Sequence, residues 1–255
     1  MTYVNSKAII IEPCILGKNV YIGPYSIIGP NVEIGENTWI DSHVIIVGST
    51  IIGSNNKFFS FCNIGVKNQI DIDSKFNINL NIGDNNVFRE RVCIQNGINL
   101  THIGCNNYFM FNSYISNGCI LGNNIVCSNN TFLSSNVSID NFVTVSKCAN
   151  IYDNVTIGSY SFIESNSFVY NDVFPYMLIG GNPARLKYLN LVALKRYFIK
   201  KSVILRLKKI FNLIFNSNFT IRQIILLLLS KKYFSFESKL IVNFLLRSKK
   251  GILLK

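Results

Sequence analysis

The chain has 255 residues, a net charge of +12 and a hydrophobic fraction of 49%. That is enough apolar material for one large domain or a domain with an appendage, and it excludes the weakly apolar, charge-rich class of disordered chains. Seven cysteines without a CxxC pair and only two histidines argue against a zinc site, and reduced, mostly buried thiols fit a cytoplasmic protein.

The first residues, Met1 to Pro13, show no positive region followed by a long apolar stretch and a small-residue cleavage site, so no secretory signal is expected. A repeat then takes over. From Val4 every sixth residue is apolar: Ile10, Leu16, Ile22, Ile28, Ile34, Ile40, Ile46, Ile52, Phe58, Ile64, Ile70, Phe76, Ile82, Phe88 and Ile94. A nine-residue step resets the phase at Ile103, and it continues through Phe109, Ile115, Leu121, Cys127, Leu133, Ile139, Val145, Ile151, Ile157, Ile163 and Val169. None of these 28 positions carries a charge or a polar amide.

Period six fits a coil of three short strands, about 18 residues in all, with one large side chain per strand pointing inward. Successive coils would stack at about 4.8 Å, the ordinary spacing of strands, so that like side chains lie over like. Corners require backbone at positive φ, which Gly and Asn accept most readily. Candidates follow the inward residue in Ile34-Gly-Glu-Asn, Ile52-Gly-Ser-Asn-Asn, Ile82-Gly-Asp-Asn-Asn, Ile103-Gly-Cys-Asn-Asn and Leu121-Gly-Asn-Asn. The expectation is an all-β parallel β-helix whose hand the repeat leaves open.

Charge divides the chain after Pro183. Residues 1–184 hold 8 Lys/Arg against 12 Asp/Glu, whereas residues 185–255 hold 17 against Glu237 alone. The expected organisation is a β-helix domain over 1–184 and a basic helical domain over 185–255. Leu189 to Ile214 reads as a basic amphipathic helix. After a break at Asn216-Ser-Asn, Thr220 with Gln223 is spaced to cap a second helix through Leu229, and a third runs from about Ser235 to Leu246. The longest apolar run of this tail, Ile224 to Leu229, is far short of the ~20 residues that cross a bilayer, so no transmembrane segment is expected. Three readings of the basic faces compete: an acidic protein or phosphate-bearing partner comes first, a merely solvated surface second, and nucleic acid, for which no recognition motif is present, or an anionic membrane last.

The segments Gly29-Pro-Asn-Val-Glu-Ile-Gly-Glu, Asp41-Ser-His-Val-Ile-Ile, Asn63-Ile-Gly, Asn68-Gln69, Ile82-Gly-Asp-Asn-Asn-Val-Phe-Arg-Glu, Gly181-Asn-Pro-Ala and Phe244-Leu-Leu-Arg-Ser-Lys-Lys-Gly-Ile-Leu carry a resemblance over the full length. With Asn190 and Leu194-Lys-Arg, they resemble the acyl-carrier-protein-dependent UDP-N-acetylglucosamine O-acyltransferases of lipid A synthesis, within the hexapeptide-repeat acyltransferases. The resemblance implies a left-handed β-helix, homotrimers with active sites between adjacent rods, and a basic tail that docks acidic acyl carrier protein. It also implies acyl-carrier-protein or coenzyme A thioesters as donors, a nucleotide sugar as acceptor, and no bound cofactor or metal.

Residue by residue, the family's His-x-x-His-Asp-Cys segment falls on Tyr114-Ile-Ser-Asn117-Gly118-Cys119. Asn117 stands at the general-base position and Gly118 at that of the orienting acid. Other active-site histidine positions fall on Gln95, Asn136 and Tyr152. An acid and a lysine that hold the sugar nucleotide become Ile70 and Ile72, and two tail residues become Val192 and Tyr197. Asn68, Gln69, Asn190 and Arg196 keep the family residue. The implied site is therefore Asn117 and Asn136 at the chemistry, with Asn68, Gln69, Gln95, Tyr114, Asn190 and Arg196 around substrate. Asn can hydrogen-bond but cannot take a proton near pH 7, and neither His43 nor His102 is placed to replace the lost histidine. Three readings follow: an O-acyltransferase with an unconventional site, an N-acyltransferase that needs no base, and a non-catalytic binding or assembly partner.

Overall fold

The computed structural model describes residues 1–68, 80–197, 200–216, 219–230, 233 and 235–253. Among these residues short strands, all parallel but the last, wind into a β-helix with three sheets of 11, nine and eight strands. The inward residues pair with one another from coil to coil, as in Ile22↔Ile40 and Phe58↔Phe88 on the first sheet and Ile10↔Ile28 on the second. From Ile22 to Val169 every described inward residue is buried. Val4, Ile10 and Leu16 are not, because no coil lies beneath them. At the centre Phe58, Phe88 and Phe109 stack at 4.7 and 5.1 Å, matching the strand spacing.

A second inward row sits two residues before the first. Val20, Ser26, Val32, Thr38, Val44, Asn56, Cys62, Asn86, Val92, Asn107, Ser113 and Ile125 are all buried. These side chains are small or hydrogen-bonded because they fill the tight corners of the prism. Asn86, for example, donates through Nδ2 to the Gly83 and Gly104 carbonyls at 3.1 and 3.0 Å, which meets the rule that buried polar groups find partners.

The corner reading holds for asparagine and not for glycine. Asn37, Asn55, Asn85, Asn106 and Asn124 have φ of 56 to 60°, but Gly35, Gly53, Gly83, Gly104 and Gly122 do not lie at positive φ. Those glycines are required for space: a Cβ on Gly35 would sit 2.5 Å from the Gly53 carbonyl carbon one coil above. His43 also occupies a positive-φ corner, at 57°, stacked between Tyr25 and Phe61.

The first sheet closes with an antiparallel hairpin, Met177–Gly181 and Ala184–Leu189, so sheet structure runs five residues past the charge boundary at 184. The helices follow: α1 (Leu191–Tyr197), α2 (Lys201–Asn216), α3 (Ile221–Leu229) and α4 (Phe236–Arg247). The single helix expected from Leu189 to Ile214 is thus two. Tyr197 of α1 packs on Phe142 and Tyr160 of the rod, with ring centroids 5.1 and 6.0 Å apart. In α2, Phe211 and Phe215 meet Phe174 edge-on at 5.7 and 5.6 Å. One straight helix could not present both faces. The Thr220–Gln223 capping box is formed, and Ser235 with Ser238 forms another ahead of α4. No helix among the described residues is long and apolar enough to cross a membrane.

Candidate active site

Both interruptions of the repeat fall at one corner, between the second and third sheets. Ile52 pairs with Ile82 and Ile64 with Ile94, 30 residues apart instead of 18, so that coil holds twelve extra residues after Ile64. Ile82 pairs with Ile103, 21 apart, which places three extra residues after Ile94. Twelve is a multiple of six, so the first insertion leaves the hydrophobic phase undisturbed. Ile70 and Phe76, assigned to the inward row by that phase, lie outside the described residues, as do Ile72 and Gln69.

A polar cluster fills this corner. Asn117, 8% exposed, accepts at Oδ1 from Asn68 Nδ2 at 2.9 Å, across 49 residues of chain. Ser135 Oγ and Ser116 Oγ lie 3.1 and 3.2 Å from the same oxygen. Ser116 Oγ also lies 3.0 Å from Ser135 Oγ and 3.3 Å from Oε1 of the buried Gln95. Thr101 ties the floor, donating to the Gln95 carbonyl at 3.1 Å and accepting from Gly118 N at 2.9 Å.

Glycines make room. Gly118 has φ of +73°, and a Cβ there would lie 2.2 Å from Asn136 Oδ1; a Cβ on Gly97 would lie 2.5 Å from Asn117 Cβ. Asn136 continues the corner, bonding from its backbone N to the Asn117 carbonyl at 3.0 Å and accepting from Asn99 Nδ2 at 2.8 Å.

Of the expected residues, Asn117, Asn68, Gln95 and Asn136 thus come together. Tyr114 lies beside them on the second sheet, stacked on Phe132 at 4.6 Å, and burial, then the nearby Cys93 and Cys119, pushes its phenol up. Tyr152 follows farther along the rod, its ring 4.0 Å from that of Tyr170. Asn190 and Arg196 are elsewhere in the same chain. Asn190 is buried beneath α1, where Nδ2 donates to the Tyr160 carbonyl at 2.9 Å and Oδ1 accepts from Ala193 N at 3.1 Å. Arg196 is exposed at the end of α1.

Burial pushes the Cys119 thiol up to about 12, so it is no nucleophile at neutral pH. His102 is exposed on the third sheet, paired in register with Asn81 and Ile120. Ser116, Ser135, Thr101, Gly97 and Asn99 were not singled out by the sequence reading. The signal that points to them is the break in the repeat, since both extra lengths of chain enter at this one coil corner. No group of three or more His, Cys, Asp or Glu side chains suited to a metal occurs among the described residues.

A three-sheet hexapeptide β-helix with a polar corner at the breaks in its repeat and a basic helical tail defines a hexapeptide-repeat acyltransferase scaffold. Residues 172–253 match the family domain described as UDP-N-acetylglucosamine O-acyltransferase, domain 2. The acyl-[acyl-carrier-protein]–UDP-N-acetylglucosamine O-acyltransferase of Psychrobacter sp. is 44% identical over 99% of this chain and 100% of its own. Among solved structures, LpxA from Acinetobacter baumannii is 33% identical, covering 99% of this chain and 97% of its own with a TM-score of 0.87. The UDP-N-acetylglucosamine acyltransferase from Campylobacter jejuni is 30% identical, covering 99% of both with a TM-score of 0.90. The chain belongs to the acyl-[acyl-carrier-protein]–UDP-N-acetylglucosamine O-acyltransferase family, and its β-helix is left-handed.

Proposed function

We propose that this protein transfers an acyl group from acyl carrier protein to a sugar nucleotide of the UDP-N-acetylglucosamine type, in lipid A synthesis. The observation that carries this reading is similarity along 99% of the chain, tail included, to relatives named for that reaction. In such a transfer an acceptor atom attacks the thioester carbonyl carbon, the new bond forms, the C–S bond breaks, and the carrier's thiol leaves. The Asn117 corner, with Asn68, Gln95, Asn136 and Tyr114, is the place for this chemistry. Coenzyme A thioesters are the alternative donor.

The tail supplies the carrier's dock. Lys195 and Arg196 on α1 and Lys201, Lys208 and Lys209 on α2 are exposed, and a patch of this sign steers and holds an acidic partner. A homotrimer in the cytoplasm completes the reading, with Gln69, Asn190 and Arg196 contributing to nucleotide-sugar binding where adjacent rods meet. The test is thiol release from acyl carrier protein or coenzyme A thioesters in the presence of UDP-N-acetylglucosamine and its amino analogues. Release that depends on the sugar nucleotide supports the proposal. No release with any donor and acceptor would overturn it and leave a binding or assembly role.

A further inference from the structure

The helix α3 is apolar on every side. It runs Ile221-Arg-Gln-Ile-Ile-Leu-Leu-Leu-Leu, and each residue from Ile224 to Leu229 is a leucine or an isoleucine. A helix of that kind is ordinarily wrapped by protein or lipid, yet α3 packs against α4 and buries only Ile224 and Leu228. Leu226, two residues from each, stands on the opposite side, about 200° around the axis, and is 64% exposed. Leu229, one turn on, is 48% exposed, and Arg222, one turn back, is exposed as well. The three make one stripe, since residues three and four apart are neighbours on a helix. Phe219 and Ile221, 45% and 50% exposed, add apolar surface at the start of the helix. Lys231 and Lys232 follow its end in the sequence, and the one acid after residue 184, Glu237, is half-buried on α4.

We infer that α3 is a docking surface for an anionic phospholipid bilayer, lying along it with Leu226 and Leu229 among the acyl chains and Arg222 at the headgroup phosphates. Nine residues make a cylinder about 14 Å long, under half of the ~30 Å hydrocarbon core, so the helix rests in the interface and does not cross. Charge complementarity selects this occupant. Outward leucines gain by leaving water, and the cation between them calls for a negative surface. A layer of anionic headgroups over acyl chains supplies both. Two copies meeting through this stripe about a twofold axis would set Arg222 against Arg222 and bring the basic tails together. An acidic protein would answer the charge without calling for two outward leucines. The carrier-protein dock proposed above uses α1 and α2, so this surface is on a different helix and does not depend on the acyl-transfer reading.

The experiment is flotation of the full chain with phosphatidylcholine vesicles, made with and without phosphatidylglycerol. Wild type should bind the anionic vesicles at least about tenfold better, and added salt should weaken that binding. The variants are Leu226→Gln combined with Leu229→Gln, and Arg222→Gln alone, with circular dichroism and light scattering reporting on fold and oligomeric state. The double variant should lose at least about tenfold in binding, and Arg222→Gln about fivefold. Leu226→Trp gives a second readout that requires no loss of binding. Its emission should shift to the blue when anionic vesicles are added, against the fixed signal of Trp39 in the rod. Equal binding to both kinds of vesicle, a double variant that binds as wild type does, or an unshifted Leu226→Trp spectrum would each overturn the inference. So would a changed oligomeric state in the double variant, which would make the stripe an interface between copies of the chain.

Discussion

The carboxylate of Asp172 is fully buried and gathers four donors, which makes it the sharpest test of how the tail is fixed to the rod. Oδ1 accepts from Thr156 N at 2.7 Å, and Oδ2 accepts from Ser248 Oγ, Lys249 N and Lys250 N at 2.7, 2.8 and 3.0 Å. Its backbone adds a bonded pair, N to the Gly251 carbonyl at 3.0 Å and O from Leu253 N at 2.9 Å. In Asp172→Asn the shape is kept, but one oxygen becomes an NH2 group that must face a donor whichever way the amide turns. The loss is a charge-assisted bond, about 1.5–3 kcal/mol, plus a buried donor left unsatisfied, about 1–3 kcal/mol, so about 2.5–6 kcal/mol in all. Lys249 and Lys250 have exposed side chains, so their segment escapes part of that cost by lifting into water. The expected outcome is early hydrogen exchange at the Lys249, Lys250 and Leu253 amides, with a lowered urea midpoint. Unchanged exchange there, with a stability change below about 0.5 kcal/mol, would refute the latch, being no more than an ordinary surface substitution produces.

Further tests follow from the same packing. Phe88→Ala removes the middle ring of the Phe58–Phe88–Phe109 stack and should cost about 3–5 kcal/mol by urea denaturation. Burial pushes Cys62, Cys119 and Cys127 from 9.0 to about 12. The unfolded chain gives up these protons near its ordinary value while the fold retains them, so stability is full below about 9 and falls as pH rises toward 12. Urea midpoints at about pH 8 and pH 10.5 should therefore differ, the higher pH being lower; a flat profile would contradict the burial argument. Asn117→His alone should raise transfer to a hydroxyl acceptor if the rest of the sugar pocket is in place. The companion change Gly118→Asp is predicted to misfold the corner, because of the +73° backbone and the Asn136 Oδ1 lying where its Cβ would be.

The rod was legible because a coil buries one large side chain per strand, and the residues from Ile22 to Val169 write that row in plain view. The row beneath it was not, since Ser26, Thr38, Asn56 and Ser113 are polar by type and buried only because the corner supplies their partners. The glycines were misjudged for a related reason: Gly35 answers to a backbone one coil above, 18 residues away in sequence, and not to its own φ. The twelve-residue insertion after Ile64 was masked by keeping phase, whereas the three-residue one after Ile94 left the nine-residue step. Resemblance grouped Asn117, Gln95, Asn136 and Asn68 as a candidate site, but only the fold shows why they meet, with Asn68 reaching Asn117 from two coils away along the rod. The helix break before Lys201 was hidden because both halves are basic and amphipathic, and what separates them is the rod surface each must cover.

The central claim is that this acyltransferase scaffold carries transfer chemistry at the Asn117 corner. It is tested most directly by following thiol release from acyl carrier protein thioester with and without UDP-N-acetylglucosamine. The account predicts release that requires the sugar nucleotide and falls in Asn117→Ala. Release that is absent, or the same without the sugar nucleotide, would contradict it.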